Sequence, residues 1–342
     1  MKLANPVIAC VMCACAAAFA QELRPVGAAN GMHTVTDAFP GFDVEGDAFS
    51  PERKEPRWFS FITGPNRDDA PSQLEYCRSL EADESFSKAA RQYDALVREW
   101  PTSAEAPVAQ LRLAEIRETK DLDYEEAFTQ YRYMLDFFSM QCDYNAIAAK
   151  LYELAGKMRE EGKTIIFFRF KNTVDVRRAF ESAVLRAPGA PWVPAAMLTI
   201  ADLREEEGKD EEAVKVYENL RNIHHGSKES AVACFREATA RMRIIREYSY
   251  NRERCVDTLS FLESAVKTCD RAYVETIEEY LSETRSMLEE EAYRSAKFYD
   301  GKMRTRRSAI NAYGRFLAEF PDGAHAAEAR ARLEELKGEE KK

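Results

Sequence analysis

The stretch YDALVREWP at residues 93–101 places an aromatic side chain eight positions before a proline. The same skeleton returns as FESAVLRAP at 180–188 and as YGRFLAEFP at 313–321. Upstream of the last proline, Ala309, Ala312, Tyr313, Phe316, Leu317 and Phe320 recur at helical spacing, one continuous apolar stripe. Ala89, Tyr93, Leu96, Val97 and Trp100 form the equivalent stripe in the first copy, and Val176, Ala179, Phe180, Ala183, Val184 and Ala187 in the second. Two further copies lack the proline: Ala127, Tyr131, Met134, Leu135 and Phe138, then Ala213, Val216, Tyr217 and Leu220.

The pattern continues beyond each turn as a second apolar stripe that starts with a small or branched residue. It comprises Ala109, Leu113 and Ile116, then Ile147, Leu151 and Leu154, then Ala196, Ile200 and Leu203, and last Ala329, Leu333 and Leu336. Each unit is therefore a helix, a short turn and a returning helix. The alanines permit close helix approach, while the aromatics and leucines fill the space between pairs. Tyr93 and Trp100, both on the first stripe, are expected to be buried. Aromatic positions at 93, 131, 180, 217 and 313 give tetratricopeptide-like spacing, with a long interval that leaves room for a degenerate, elongated unit near 252–290. Such units bury their apolar faces only by stacking. The expected fold is all-α, an α-solenoid of about five to six irregular tetratricopeptide-like helix pairs over residues 72–337, followed by a charged tail at 338–342.

The start of the chain reads differently. Lys2, an apolar run over 7–19 and Ala18-Phe19-Ala20 have the form of a secretory signal peptide spanning 1–20. Cys10, Cys13 and Cys15 then fall in the removed segment. A lipoprotein signal around Val7-Ile8-Ala9-Cys10 is the second reading, and it leaves a short apolar run before the cysteine. The expected product is exported and soluble. Residues 21–71, with Pro25, Pro40, Pro51, Pro56, Pro65 and Pro71, read as an extended arm or linker. Within it RWFSFI (57–62) is unusually apolar, so that Trp58, Phe59 and Phe61 either lie on the first helices or form a partner-binding tag. Cys77, Cys142, Cys234, Cys255 and Cys269 remain, an odd number at wide spacings. No disulfide framework is legible from them, and buried structural thiols are the expectation.

A formal net charge of −10 argues against nucleic acid as the main partner. The basic knots RMRIIRE (241–247) and MRTRRS (303–308) read as solvated helix faces. EEGKT (160–164) lacks the upstream glycine and strand of a phosphate loop, because position 157 is Lys157; Gly162 reads as a helix end. Four histidines, His33, His224, His225 and His325, supply no zinc spacing. Glu205, Glu206 and Glu207, and Glu289 to Glu291, read as solvated helix faces. No catalytic, cofactor-binding or metal-ligating residue is nominated.

The segment from Pro71 to about Leu154 and the run AFESAVLRAPGAPWVPAAMLTIADLREEEGKDEEAVKVYENL (179–220) resemble BamD-type outer-membrane protein assembly factors. The turn bearing Ala187, Pro188, Trp192 and Pro194 is part of that likeness, as is the closing AINAYGRFLAEFPDGAHAAEARARLEEL. The resemblance implies a non-enzymatic periplasmic scaffold at the inner face of the outer membrane. Its partners would be the barrel insertase and unfolded barrel precursors, with membrane association through those partners or a lipid anchor. Two features depart from the family: Ala18-Phe19-Ala20 favours a free mature N-terminus, and 225–300 follows the repeat pattern poorly. A different periplasmic adaptor, for peptidoglycan or division proteins, is the alternative on the same fold.

Overall fold

The computed structural model describes residues 64–161, 163–165, 168–170, 173–247, 251–301 and 306–340. The signal-peptide segment, Cys10, Cys13, Cys15, His33, most of the expected arm and RWFSFI lie outside the described residues. The chain divides into two compact units, Met1–Glu207 and Gly208–Lys342.

The first unit runs α1 (Ala70–Ala82), α2 (Phe86–Glu99), α3 (Ala106–Thr119), α4 (Tyr124–Phe137) and α5 (Tyr144–Glu161). Strands β1 (Lys163–Ile165) and β2 (Phe168–Phe170) follow, then α6 (Thr173–Arg186) and α7 (Val193–Glu206). Each helix packs on its sequence neighbour, so the unit is a stack of tetratricopeptide-like helix pairs, the α-solenoid mode of burial. Nearly all the predicted stripe is enclosed: Tyr93, Leu96, Ala109, Ala183, Val184, Ala196, Ile200 and Leu151 are fully buried. Pro71, assigned above to the arm, instead sits in the first turn of α1, where Asp69 caps the helix by accepting from the Ser72 amide at 2.9 Å. Pro107 and Pro194 hold the same place in α3 and α7, where the missing N–H has no helical carbonyl to serve.

Trp100 departs from expectation. It is the C-cap of α2, half-buried against the core rather than within it, because the helix ends there. Trp100→Ala is accordingly expected to cost roughly 1–2 kcal/mol in a denaturant melt, not the ~3–5 kcal/mol of an enclosed aromatic.

The second unit contains α8 (Asp210–Ile223), α9 (Lys228–Glu247), α10 (Arg252–Thr268), a 3₁₀ turn (Arg271–Tyr273), α11 (Val274–Gly301), α12 (Arg306–Glu319) and α13 (Ala326–Glu340). The long, poorly patterned interval is filled by α9, α10 and α11, of 20, 17 and 28 residues. Their core includes Ala238, Met242, Ile245, Leu262, Ile277 and Leu288. A disulfide joins Cys234 on α9 to Cys269 just after α10, while Cys77, Cys142 and Cys255 are free thiols. The cysteine spacing could not announce this pair, because closure depends on how α9 and α10 fold back on each other.

The repeated proline has a conformational meaning. The residue before it accepts an i+3 hydrogen bond: Ser103 N–H to Trp100 O at 3.1 Å, Ala190 N–H to Ala187 O at 3.0 Å, and Gly323 N–H to Phe320 O at 3.4 Å. The two proline-free copies make the same turn, Gln141 N–H to Phe138 O at 2.9 Å and Ser227 N–H to His224 O at 3.1 Å. Proline thus occupies the second position of a β-turn, which its fixed φ suits, and Ser139 and His225 stand in for it. Phe138 (φ −122°, ψ 29°) shares its φ with Trp100 (φ −124°, ψ 59°), which precedes a proline, though its ψ is lower. Ser139→Pro is expected to stabilise the protein by about 0.4–1 kcal/mol, by restricting the unfolded chain, as a raised denaturant midpoint.

Candidate functional site

Three junctions between helix pairs share one polar construction. An acid at the end of one helix, a tyrosine midway along the next and a cation midway along the third converge, joined in one case by a second cation near the end of that third helix. Tyr131 on α4 donates to Glu118 of α3 at 3.0 Å, and Lys150 and Lys157 of α5 reach the other oxygen of that carboxylate at 3.2 and 2.9 Å. On α2, Tyr93 donates to Glu81 of α1, which also receives Arg112 of α3. In the second unit Tyr313 on α12 donates to Asp300 of α11 at 3.3 Å, and Arg332 of α13 grips the same carboxylate at 2.7 and 3.0 Å. The recurring tyrosine therefore has two tasks: its ring fills the core and its hydroxyl sets the register of three consecutive helices.

The charges are poised for structure. Burial alone would raise the Glu118 carboxyl, but Lys157, Lys150 and Tyr131 outweigh it and hold it below the usual carboxylate range. Asp300 is lowered chiefly by Arg332. Burial, with Asp300 alongside, pushes the Tyr313 phenol up to about 12. The oxygens of the ionised carboxylate are occupied by the tyrosine hydroxyl and the cations, so these groups serve the contact between helices. The linkage has a definite sign. An acid with a lowered folded pKa stabilises the fold above its unfolded pKa of about 4.3 and loses that contribution as pH falls through the folded value. The urea midpoint is expected to drop as pH falls below about 4.3, and Glu118→Gln to flatten that slope while lowering the neutral midpoint.

Two buried glutamines add a second device to the first unit. Gln73 of α1 donates to the backbone oxygen and Oε1 of Gln92 at 3.3 and 2.8 Å; Gln110 of α3 donates to the same two atoms of Gln130 at 2.8 and 2.9 Å. Gln73 Oε1 also accepts from the amides of Asn66 and Arg67, both at 3.0 Å, which holds the entering chain against α1. Gln92 and Gln130 each directly precede the stripe tyrosine, the only trace of these rungs in the sequence.

Beside the Glu118 junction opens a cleft of about 470 Å³, lined among others by Glu81, Phe86, Arg112, Thr119, Lys120 and Lys150. Lys120 Nζ lies 4.5 Å from the centre of the Phe86 ring. The cleft combines one aromatic wall with charges already balanced, which suits a polypeptide side chain better than a free ion. A second groove, about 590 Å³, follows one stripe of α11 through Glu279, Ser282, Glu283, Met287, Glu290 and Arg294.

The positions weighed from the sequence fall as follows. In the first basic knot Arg243 and Arg246 tie α9 to Asp210 of α8 and Glu283 of α11 at 2.6–2.9 Å, while Arg241 pairs with Glu237 within α9 at 2.8 Å. Of the second, Arg306 and Arg307 begin α12 and are exposed, and residues 303–305 lie outside the described residues. EEGKT spans the end of α5 and β1, with α5 ending at Glu161. His224 caps α8, where burial pushes its imidazole down. The acidic triplets are not simply solvated. Glu207 is enclosed and receives Arg177 Nε at 2.7 Å; Glu289 accepts the His325 amide at 3.0 Å over Gly323, where a Cβ would overlap the carboxylate; Glu291 receives Arg252 at 2.8 Å. Helical periodicity placed these acids on charged faces, but it could not show that neighbouring helices cover those faces.

Among the described residues no group of three or more His, Cys, Asp or Glu is placed to hold a metal ion, and no helix is long and apolar enough to cross a membrane. Stacked pairs, the repeated turn and the acid–tyrosine–cation junctions define a tetratricopeptide-like helical-repeat protein. No protein-family model matches the chain, and no curated protein does. Among solved structures it is similar to a tetratricopeptide repeat protein from Parabacteroides merdae ATCC 43184, at 10% identity over 78% of this chain and 98% of that one, with a TM-score of 0.27. Superposition at that level adds nothing to the architecture described above.

Proposed function

We propose that the protein is a non-catalytic scaffold that binds other proteins through its stacked helix pairs, exported to the periplasm and serving outer-membrane β-barrel assembly. The observation that carries the scaffold reading is the use of polar chemistry. The Glu81, Glu118 and Asp300 carboxylates, each with a tyrosine and a cation, are consumed in holding consecutive helices in register. What remains for recognition is surface shape, exposed apolar residues such as Met140 and Leu122, and the cleft beside Phe86. The Cys234–Cys269 disulfide supports an oxidising compartment, in keeping with the leader-like start of the sequence. The outer-membrane assignment rests on the resemblance of the 71–154 and 179–220 stretches to BamD-type factors.

Crosslinked affinity purification of the native protein from membranes, with partners identified by mass spectrometry, tests it. Recovery of an outer-membrane barrel insertase is the expected result. Recovery of peptidoglycan or division proteins instead would move the function to another envelope adaptor on the same fold.

A further inference from the structure

Two arginines of the second unit share one carboxylate. Arg221, near the end of α8, donates Nε to one oxygen of Glu237 on α9 at 2.8 Å. Arg241, one turn further along α9, donates Nε to the other oxygen at 2.8 Å and brings a terminal nitrogen to 2.7 Å from it. Phe261 of α10 lies against both guanidinium groups, with its ring centre 5.1 and 4.7 Å from their carbons. Three consecutive helices therefore hold the pair, and the aromatic face steadies its orientation.

The charges of this group do not balance. Glu237 is fully buried, whereas the Arg221 and Arg241 side chains are 24% and 20% exposed. Among the described residues no second acid forms an ion pair with either arginine. Both terminal nitrogens of Arg221 and one of Arg241 make no hydrogen bond there, and none of the three is sealed from solvent. The Arg177 cluster is the closed form of the same arrangement. There Arg177 and Arg204 meet two carboxylates, Glu181 and Glu207, and all four side chains are enclosed. At Glu237 one positive charge of the pair stays uncompensated, with its N–H groups open to water. A carboxylate matches that single charge, while a phosphate monoester, at about −1.5 to −2 near neutral pH, exceeds it.

We propose that Arg221 and Arg241 form a recognition site for an aspartate or glutamate side chain of a partner protein, which completes a group of two cations and two anions with Glu237. The arginines are already ordered by Glu237 and Phe261, so little further freedom is lost when the acid docks. The inference rests on the scaffold reading but not on the outer-membrane assignment. Its test needs no native partner, so its outcome stays separate from the crosslinking result.

The test follows the side-chain Nε–H signals of Arg221 and Arg241 by NMR in the isotope-labelled full chain, assigned by their loss in Arg221→Lys and Arg241→Lys. The probe is a glycine peptide with one central glutamate, acetylated and amidated at its ends so that the side-chain carboxylate is its one charge. The expected result is a saturable shift of both signals that weakens with salt. Binding should fall about tenfold or more when glutamine replaces the glutamate of the peptide, and likewise in Arg221→Gln. Circular dichroism checks that Arg221→Gln keeps its helices; should it not, the glutamate and glutamine peptides against the intact protein decide. No shift with the glutamate peptide, or equal binding of the glutamine peptide, overturns the proposal. So does inorganic phosphate that binds as tightly as the peptide, since the site would then take free anions without regard to their source.

Discussion

Arg177→Ala is expected to lower the unfolding free energy by about 3–5 kcal/mol, the cost of leaving buried charge uncompensated. The Arg177 side chain, 2% exposed, gives Nε to Glu207 at 2.7 Å and one terminal nitrogen to both oxygens of Glu181, at 2.8 and 2.9 Å. Arg204 completes the group with a 3.2 Å contact to Glu181. Two cations and two anions are thus enclosed together between α6 and the end of α7. Removal of one cation leaves two carboxylates to share Arg204 out of reach of bulk water. The companion variant separates charge balance from packing: Arg177→Met with Glu181→Leu leaves one cation and one anion. It is expected to recover most of the loss, because matched apolar replacement of a buried pair is close to neutral. Denaturant melts of the single and double variants measure the difference. A single-variant loss below about 1 kcal/mol would mean that the cluster is solvated.

Reduction of the Cys234–Cys269 disulfide is expected to cost about 3–4 kcal/mol on the chain-entropy account, given its separation of 35 residues. The bond ties α9 to the end of α10, where the apolar pattern is weakest. The signature is a fall in denaturant midpoint in reducing buffer, reproduced by Cys234→Ser with Cys269→Ser and absent when that variant is reduced further. Cys255 lies in the same core, but burial pushes its thiol up, so it stays protonated and does not rescue the pair. Equal midpoints in oxidising and reducing buffer would show that the bond does not form.

The helix pairs were legible because their signal is periodic and local. The stripe through Ala127, Tyr131, Met134 and Leu135 repeats at helical spacing, and the folded chain buries all four. The turn was legible only in part. Proline marked three copies, and the hydrogen bonds at Phe138 and His224 show the same turn without it. Glu84 and Leu122, at φ 55° and 53°, hold a left-handed position between pairs that Gly208 occupies with no steric cost, and only the glycine could have been read as such.

What the sequence by itself determined is where helices begin and stop and which face of each is apolar, since both follow from neighbours within a turn or two of the same helix. Tertiary structure alone decided which polar groups meet. The Glu118 to Lys150 and Lys157 contacts, the Arg177–Glu207 pair, the Gln73 and Gln110 rungs and the disulfide each join residues 19 to 39 positions apart along the chain. A charged residue on a helix face reads alike whether water or an opposite charge lies beyond it. Only the packing of the next helix determines which, and with it whether that residue holds the stack together or remains on its surface.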